Sequence, residues 1–264
     1  MDKASVGGVV LAIAGIVAGL LIEGGNLGQV LQPTAALIVF GGTIGAVLVQ
    51  YPLTTVLSAF RNLAHVFRAQ RKENDKLIQM LVGYANKARR NGVVSLDADL
   101  NTIADPFLKQ AVTLAVDGTE PAELRKIMRV NMEAIGEYDE RLPSVFESAG
   151  GFSPTIGILG AVLGLIQVMQ HLDNIQEVGR GIAVAFVATI YGVGAANLFF
   201  LPFAGKMRLH QRDAHQRREM MLEAVISILE GMNPRMLEVK LTGFLQDSTP
   251  PSNSKTERQQ ERMA

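Results

Sequence analysis

The 264-residue chain contains no cysteine and no tryptophan. The first absence removes disulfides, thiolate zinc sites and cysteine nucleophiles together. The second removes a tryptophan belt at a membrane interface and leaves four tyrosines for that part. Charge is also sparse, at 19% of residues, and it balances to a formal net charge of zero. Binding to a phosphate backbone needs a basic surplus, so nucleic acid is excluded as the main partner. Four histidines remain as candidate metal ligands, and His210 and His215 stand five apart, a spacing that does not place both on one helix face. There is no phosphate-binding loop and no nucleophile–base pair. Neither an enzyme nor a resident cofactor or metal is expected.

Hydrophobic residues make up 48% of the chain, and they come in blocks. The windows 4–22, 24–60, 148–172 and 181–205 contain no Asp, Glu, Lys or Arg. About 20 apolar residues in a helix cross a hydrocarbon core of ~30 Å. The windows therefore predict four membrane spans, at about 5–22, 34–51, 151–170 and 182–203. The first lacks a small-x-small cleavage signature before Glu23 and has one Lys ahead of it, so it is read as a span rather than a signal peptide. Lys and Arg are concentrated in 61–147, with thirteen, and 206–264, with ten, whereas the connections at 23–33 and 171–180 hold none and one. The positive-inside rule then puts both termini and the middle segment in the cytoplasm.

The predicted organisation is an all-α membrane protein. A first transmembrane hairpin occupies 1–51, a cytoplasmic helical domain 52–147, and a second hairpin 148–205. A cytoplasmic helix and cap follow at 206–245, with a disordered tail at 246–264, the last on composition. Within 52–147, Val56, Leu57, Phe60 and Leu63 have helical spacing. A helix is expected from an Asn74 cap to Gly92, then the tight link "VVSLDADL". Asp105 followed by Pro106 predicts another helix start. The segment from Glu120 reads as one long helix running into the third span. The basic run Arg208, Arg212, Arg217 and Arg218 reads as a topology signal and a contact for anionic membrane lipid.

Small residues stripe the spans. They are Gly8, Ala12, Gly15 and Gly19 in the first, Gly41, Gly42 and Gly45 in the second, Gly157, Gly160, Ala161 and Gly164 in the third, and Ala185, Ala188, Thr189, Gly192 and Ala196 in the fourth. Such stripes let helix backbones approach one another in lipid, within one chain or between subunits. Pro154 opens the third span and Pro202 closes the fourth, as punctuation or as a pair of bends. Thr189 sits mid-span, where its hydroxyl either bonds to its own helix or lines a wet path. No carboxylate or histidine lies within a span, so a chain that conducts protons has to borrow its ionisable group from a partner.

Three stretches, "SPTIGILGAVLGLIQVM", "AVAFVATIYGVGAANLFFLP" and "GMNPR", with the four spans and the long middle segment, resemble the MotA family of bacterial flagellar stator subunits. The likeness covers nearly the whole chain. The related ExbB and TolQ proteins, proton-driven energisers of outer-membrane processes, share the third and fourth spans but typically lack the opening pair as arranged here. Family membership would imply an inner-membrane homopentamer around two MotB-type chains. Each of these brings one membrane Asp, whose protonation drives rotation against the rotor protein FliG in flagellar motility and chemotaxis.

On that resemblance Thr189, Pro154 and Pro202 match the family's fourth-span threonine and its two mechanistic prolines. Ala161 stands where sodium-driven relatives carry Thr. A dehydrated sodium ion needs several oxygen ligands, so Ala161 points to protons as the transported ion. In "ARRNGVVSLDADL", Arg89 and Asp97 fall on the family's rotor-facing Arg and Glu, with Arg90 and Asp99 beside them. Exposed ion pairs are worth ~0–1 kcal/mol and weaken with salt, which suits a contact that forms and breaks. One charge crossing 100 mV yields ~2.3 kcal/mol, enough to bias alternative helix packings.

Overall fold

The computed structural model describes residues 3–66 and 73–246, and every regular element among them is helical. The predicted tail at 246–264 lies outside the described residues except for Gln246, which is helical. In chain order the elements begin with α1 (Lys3–Ile22), α2 (Leu27–Val30) and α3 (Pro33–Ala36). A π-helical turn at Leu37–Gly41 leads into α4 (Gly42–Gln50), followed by α5 (Leu53–Val66) and α6 (Glu73–Asn91). A 3₁₀ helix at Val93–Asp99 precedes α7 (Pro106–Val116), α8 (Pro121–Gln170) and α9 (Ile175–Ala195). A second π-helical turn at Ala196–Phe200 leads into α10 (Leu201–Leu229), and α11 (Pro234–Gln246) ends the described chain.

Three helical stretches are long and apolar enough to cross a membrane: Pro33–Gln50, part of Pro121–Gln170 and part of Ile175–Leu229. A fourth apolar helix, Val6–Ile22, has 17 residues. The chain divides into two compact units. One comprises residues 1–69 and 137–211, the other 70–136 and 212–264.

The first unit contains the apolar helices. Its tightest seam lies between α8 and α9. A Cβ added at Gly157 would lie 2.8 Å from the Ala188 carbonyl oxygen, and one at Gly192 would lie 2.5 Å from that of Ser153. Farther along, a Cβ at Gly164 would lie 2.8 Å from the Gly181 carbonyl oxygen. These two small-residue stripes therefore face each other within the chain, one of the two arrangements the sequence left open, and the contact is backbone on backbone. The stripe on α1 behaves differently. A Cβ at Gly8, Gly15 or Gly19 would meet nothing within 4 Å, and no residue of α1 with a described side chain is fully buried.

At the other end of this unit Val47, Val56, Ala59, Leu142, Val145, Phe146, Ala149, Ala204 and Met207 form a buried cluster. Tyr51 borders it and donates to the Ser144 carbonyl at 3.1 Å, while sharing a 2.9 Å bond with the Ser148 hydroxyl.

The second unit packs α6, the 3₁₀ helix, α7, the first part of α8, the last part of α10, and α11 around one core. Leu81, Leu108, Leu124, Met128, Met220, Met221, Ile226, Leu237 and Leu241 are all essentially inaccessible there. Asp105 caps α7 as expected, accepting from the Phe107 and Leu108 N–H groups. Gly231, at φ +74°, ends α10 in the left-handed conformation that glycine adopts without strain.

Several expectations are corrected. Asn74 lies inside α6 rather than ahead of it. The link "VVSLDADL" is a 3₁₀ helix over Val93–Asp99, which follows directly on the tight turn that Gly92 makes at φ +80°. Pro154 does not open a helix but sits inside the 50 residues of α8, and Pro202 does not close one. Helix continues through Pro202 because the π turn ahead of it widens the backbone locally, which eases the clash between a proline ring and the preceding turn.

Glu223 joins three elements of the second unit. It accepts from Arg125 on α8 and from Lys240 on α11, the latter at 2.9 Å. Partial burial raises its carboxyl pKa, but these two cations outweigh burial and hold it below the usual glutamate value. A depressed native pKa contributes stability above the unfolded-state value, and that contribution is lost as pH falls through the native one. Glu223→Gln is therefore expected to lower the melting temperature of the solubilised protein at pH 7, by an amount corresponding to about 1–2 kcal/mol. The gap to the parent should close below the unfolded glutamate pKa, as a thermal-melt series over pH would show. For the first unit, Gly192→Ala is expected to cost about 1–3 kcal/mol through overpacking, whereas Gly15→Ala should leave the melting of the solubilised single chain unchanged.

Candidate functional site

Of the residues singled out on the third and fourth spans, Gly157 and Thr189 come together at one seam. Pro154, Gly157 and Ala161 stand at i, i+3 and i+7 on α8, which places them on one face. Opposite Gly157 lie the Ala188 carbonyl, Gly192 and Thr189, whose Cα would be 3.5 Å from a Cβ at position 157. The side chains of Ala161 and Thr189 are half-buried. Thr189 donates to the Ala185 carbonyl at 3.2 Å, four residues back on its own helix, so one of the two roles open to its hydroxyl is filled within the chain. Pro202 lies beyond the π turn. With Asn197, Leu198 and Phe203 it lines a cavity of about 290 Å³ whose far wall is Gly8, Val9 and Ala12 of α1.

Sequence reasoning missed three groups here. Ser153, fully buried, donates across the seam to the Gly192 carbonyl at 2.9 Å. Tyr191 donates to the Val30 carbonyl at 2.6 Å and accepts the Gln32 N–H at 3.3 Å, and its ring lies 6.0 Å from that of Phe40. A tyrosine sought for an interfacial belt thus instead satisfies the backbone where the second span begins. The third group is the pair of π turns, which no composition signal marks. Serine before proline and tyrosine in an apolar run were visible, but the partners that give them meaning are 39 and about 160 residues away.

The charged candidates lie in the second unit. Arg89 and Arg90 are exposed on the last turn of α6, where cations also suit the negative end of the helix dipole. Asp97 is exposed on the 3₁₀ helix that follows Gly92. Among the described residues no ion pair engages these three. Asp99 differs: it accepts from Lys87 at 2.7 Å, with both side chains about one-third exposed. Beneath this pair, burial raises the Tyr84 hydroxyl pKa, a hydrogen bond with Thr102 opposes that, and the Asp99 carboxylate adds to it. Asp99 therefore ties the 3₁₀ helix to α6, leaving Arg89, Arg90 and Asp97 as the outward charges.

Residues 99–220 match the MotA/TolQ/ExbB proton channel family, and residues 6–92 match the Motility protein A N-terminal family. Motility protein A of Bacillus subtilis (strain 168) is 36% identical over 250 residues, which cover 93% of this chain and 91% of that protein. Among solved structures, a chain of the MotAB complex of C. jejuni superposes with a TM-score of 0.87 at 33% identity, covering 92% of this chain and 96% of that one. A chain of the flagellar MotAB stator complex from Bacillus subtilis gives 0.83 at 35% identity, with 91% and 94% covered.

Lys87→Gln is expected to release the 3₁₀ helix from α6 without unfolding the unit, since a pair this exposed is worth about 1 kcal/mol or less. Amide exchange over residues 93–99 should quicken about threefold while that of the Leu124–Met132 core stays unchanged. Arg89→Gln should leave both alone.

Proposed function

The chain belongs to the MotA/TolQ/ExbB proton channel family, and on that premise we propose that it is a flagellar motor stator subunit. In this reading it works with a MotB-type partner to couple ion flow across the bacterial inner membrane to torque on the rotor protein FliG. The observation that carries the reading is the close approach of Gly157 to Gly192 and Thr189 at a seam between spans that hold no carboxylate or histidine. A conducting site so built lacks only the carboxylate, which the MotB-type helix supplies. The Thr189 hydroxyl, held on the Ala185 carbonyl, keeps oxygen lone pairs with which to accept from the protonated form of that carboxyl or from a water beside it. The match of 6–92 to a motility-specific N-terminal family favours the flagellar role over an ExbB- or TolQ-like one.

The finer parts of the proposal follow. Val6–Ile22 joins the three longer apolar stretches as a fourth span. Five copies form a ring, and Gly15 and Gly19 of α1, where an added Cβ would meet nothing within 4 Å, supply a surface suited to a neighbouring copy or to lipid. Both termini and the charged segments face the cytoplasm. There Arg89, Arg90 and Asp97 touch the rotor, and Asp99, paired with Lys87, holds that turn in place. The transported ion is the proton, since Ala161 offers no side-chain oxygen to a dehydrated sodium ion. Pro154 and Pro202 bend their helices as the ring steps.

The test is swimming speed and stator-dependent ion flux in a strain lacking its own stators, given this chain and its partner, with pH and sodium varied independently. Speed should follow the proton gradient and ignore sodium. Thr189→Ala should reduce speed at least tenfold at normal membrane levels, and Arg89→Glu should reduce it while leaving ion flux intact. Sodium-dependent speed would sink the choice of ion. An absence of motility and flux despite normal insertion would sink the stator reading.

A further inference from the structure

Hydroxyls on the apolar helices have an easy local partner, the carbonyl three or four residues back. Thr43 uses the Val39 carbonyl at 2.6 Å, Thr155 the Phe152 carbonyl at 2.8 Å, and Thr189 the Ala185 carbonyl at 3.2 Å. Ser153 does not. Its hydroxyl reaches across the seam to the Gly192 carbonyl at 2.9 Å, in a site from which solvent is excluded.

Both ends of this bond are unusual places on their helices. Ser153 immediately precedes Pro154, which has no N–H to give to the carbonyl four residues back, that of Gly150. That carbonyl is three residues before Ser153, the same interval over which Thr155 bonds to Phe152. A second acceptor is therefore within reach of the Ser153 hydroxyl after rotation about one side-chain bond. At the other end, Gly192 accepts from the Ala196 N–H, which it shares with the Val193 carbonyl at the point where α9 gives way to the π turn. The short stretch 150–157 spans that turn. A Cβ at Gly150 would press on the Leu201 side chain just beyond it, while Ser153 and Gly157 touch Gly192 just before it.

We propose that Ser153 is a positioning residue for ion-driven stepping, a latch that joins the Pro154 bend in α8 to the start of the π turn in α9. With the hydroxyl on Gly192 the two helices are held in the arrangement that sets Thr189 beside Gly157. With the hydroxyl turned to the Gly150 carbonyl, the seam is released and the Pro154 bend is free to change. The exchange swaps one hydrogen bond for another within a dry site, so the two arrangements lie close in energy. This inference rests on the stator reading, and its test separates the two.

The experiment is a bead assay in which stator units join a single motor one by one, using the full chain with its MotB-type partner. The height of each speed step reports the torque of one unit, and the number of steps reports assembly. If the parent chain produces no steps, the stator reading fails before the latch is at issue. Given parent steps, Ser153→Ala is expected to reduce step height at least threefold, and Ser153→Thr, which keeps the hydroxyl, to stay within twofold of the parent. A change confined to step number, with height preserved in Ser153→Ala, would show that Ser153 only packs and would overturn the proposal. Equal step heights for the Ala and Thr variants would do the same. If neither substitution at 153 assembles, Ser153→Cys, nearly isosteric but a weak donor, carries the same expectation of reduced height.

Discussion

The arrangement of the apolar helices depends on how closely two backbones can approach in a medium that offers no hydrogen bonds. Along α8 and α9 that approach is set by glycine. At Gly157, Gly164 and Gly192 the space a Cβ would fill is already taken by a carbonyl of the facing helix. Once the helices are this close, a side-chain hydroxyl can reach a carbonyl on the opposite strand of the seam, and residues from different helices can share one small volume. Everything argued about Thr189, Pro154 and Ser153 presupposes that separation. A wider seam would leave Ser153 to satisfy itself on its own helix, as Thr189 already does, and no side-chain bond would join the two helices there.

The two units solve the packing problem by different chemistry. The one with the membrane-length helices relies on small residues and backbone contact, because lipid gives no hydrophobic reason for helices to associate. The other relies on large side chains such as Leu81, Met128, Met220 and Leu237, buried to exclusion of solvent. At the edge of that core charge is paired, as at Glu223 with Arg125 and Lys240. A single chain thus carries two sets of folding instructions, and the composition of each stretch declares which set applies.

That difference explains what was legible from sequence. Uncharged windows, helical spacing, the Asp105–Pro106 start and the glycine stripes on α8 and α9 are local or periodic signals, and the structure follows them. The stripe on α1 was equally visible, yet within the chain its glycines make no close backbone seam, because a stripe states that a helix packs closely without naming against what. Partners distant in sequence were not legible. Lys87 and Asp99 meet only because Gly92 reverses the chain between them. Ser153 and Gly192 meet only where α8 packs on α9, and Tyr191 and Val30 only where α9 packs on the start of the second span. The prolines misled for a related reason. Read locally, Pro202 is a stop signal, but a wider turn upstream lets the helix pass through it.

That wider turn has a consequence for how the fourth span faces its surroundings. A π turn holds one more residue than an α turn, and each residue advances an α-helix by about 100° around its axis. The surface that α9 offers before Ala196 and the surface that α10 offers after Phe200 are therefore out of phase by roughly that angle. Residues that a regular helical wheel would align on one side point to different sides across this turn. The helix can face α8 through Gly192 and then turn Pro202 toward α1. The extra residue works as a rotary offset built into the main chain, and removing it would rotate every downstream side chain while leaving the composition of the span almost untouched.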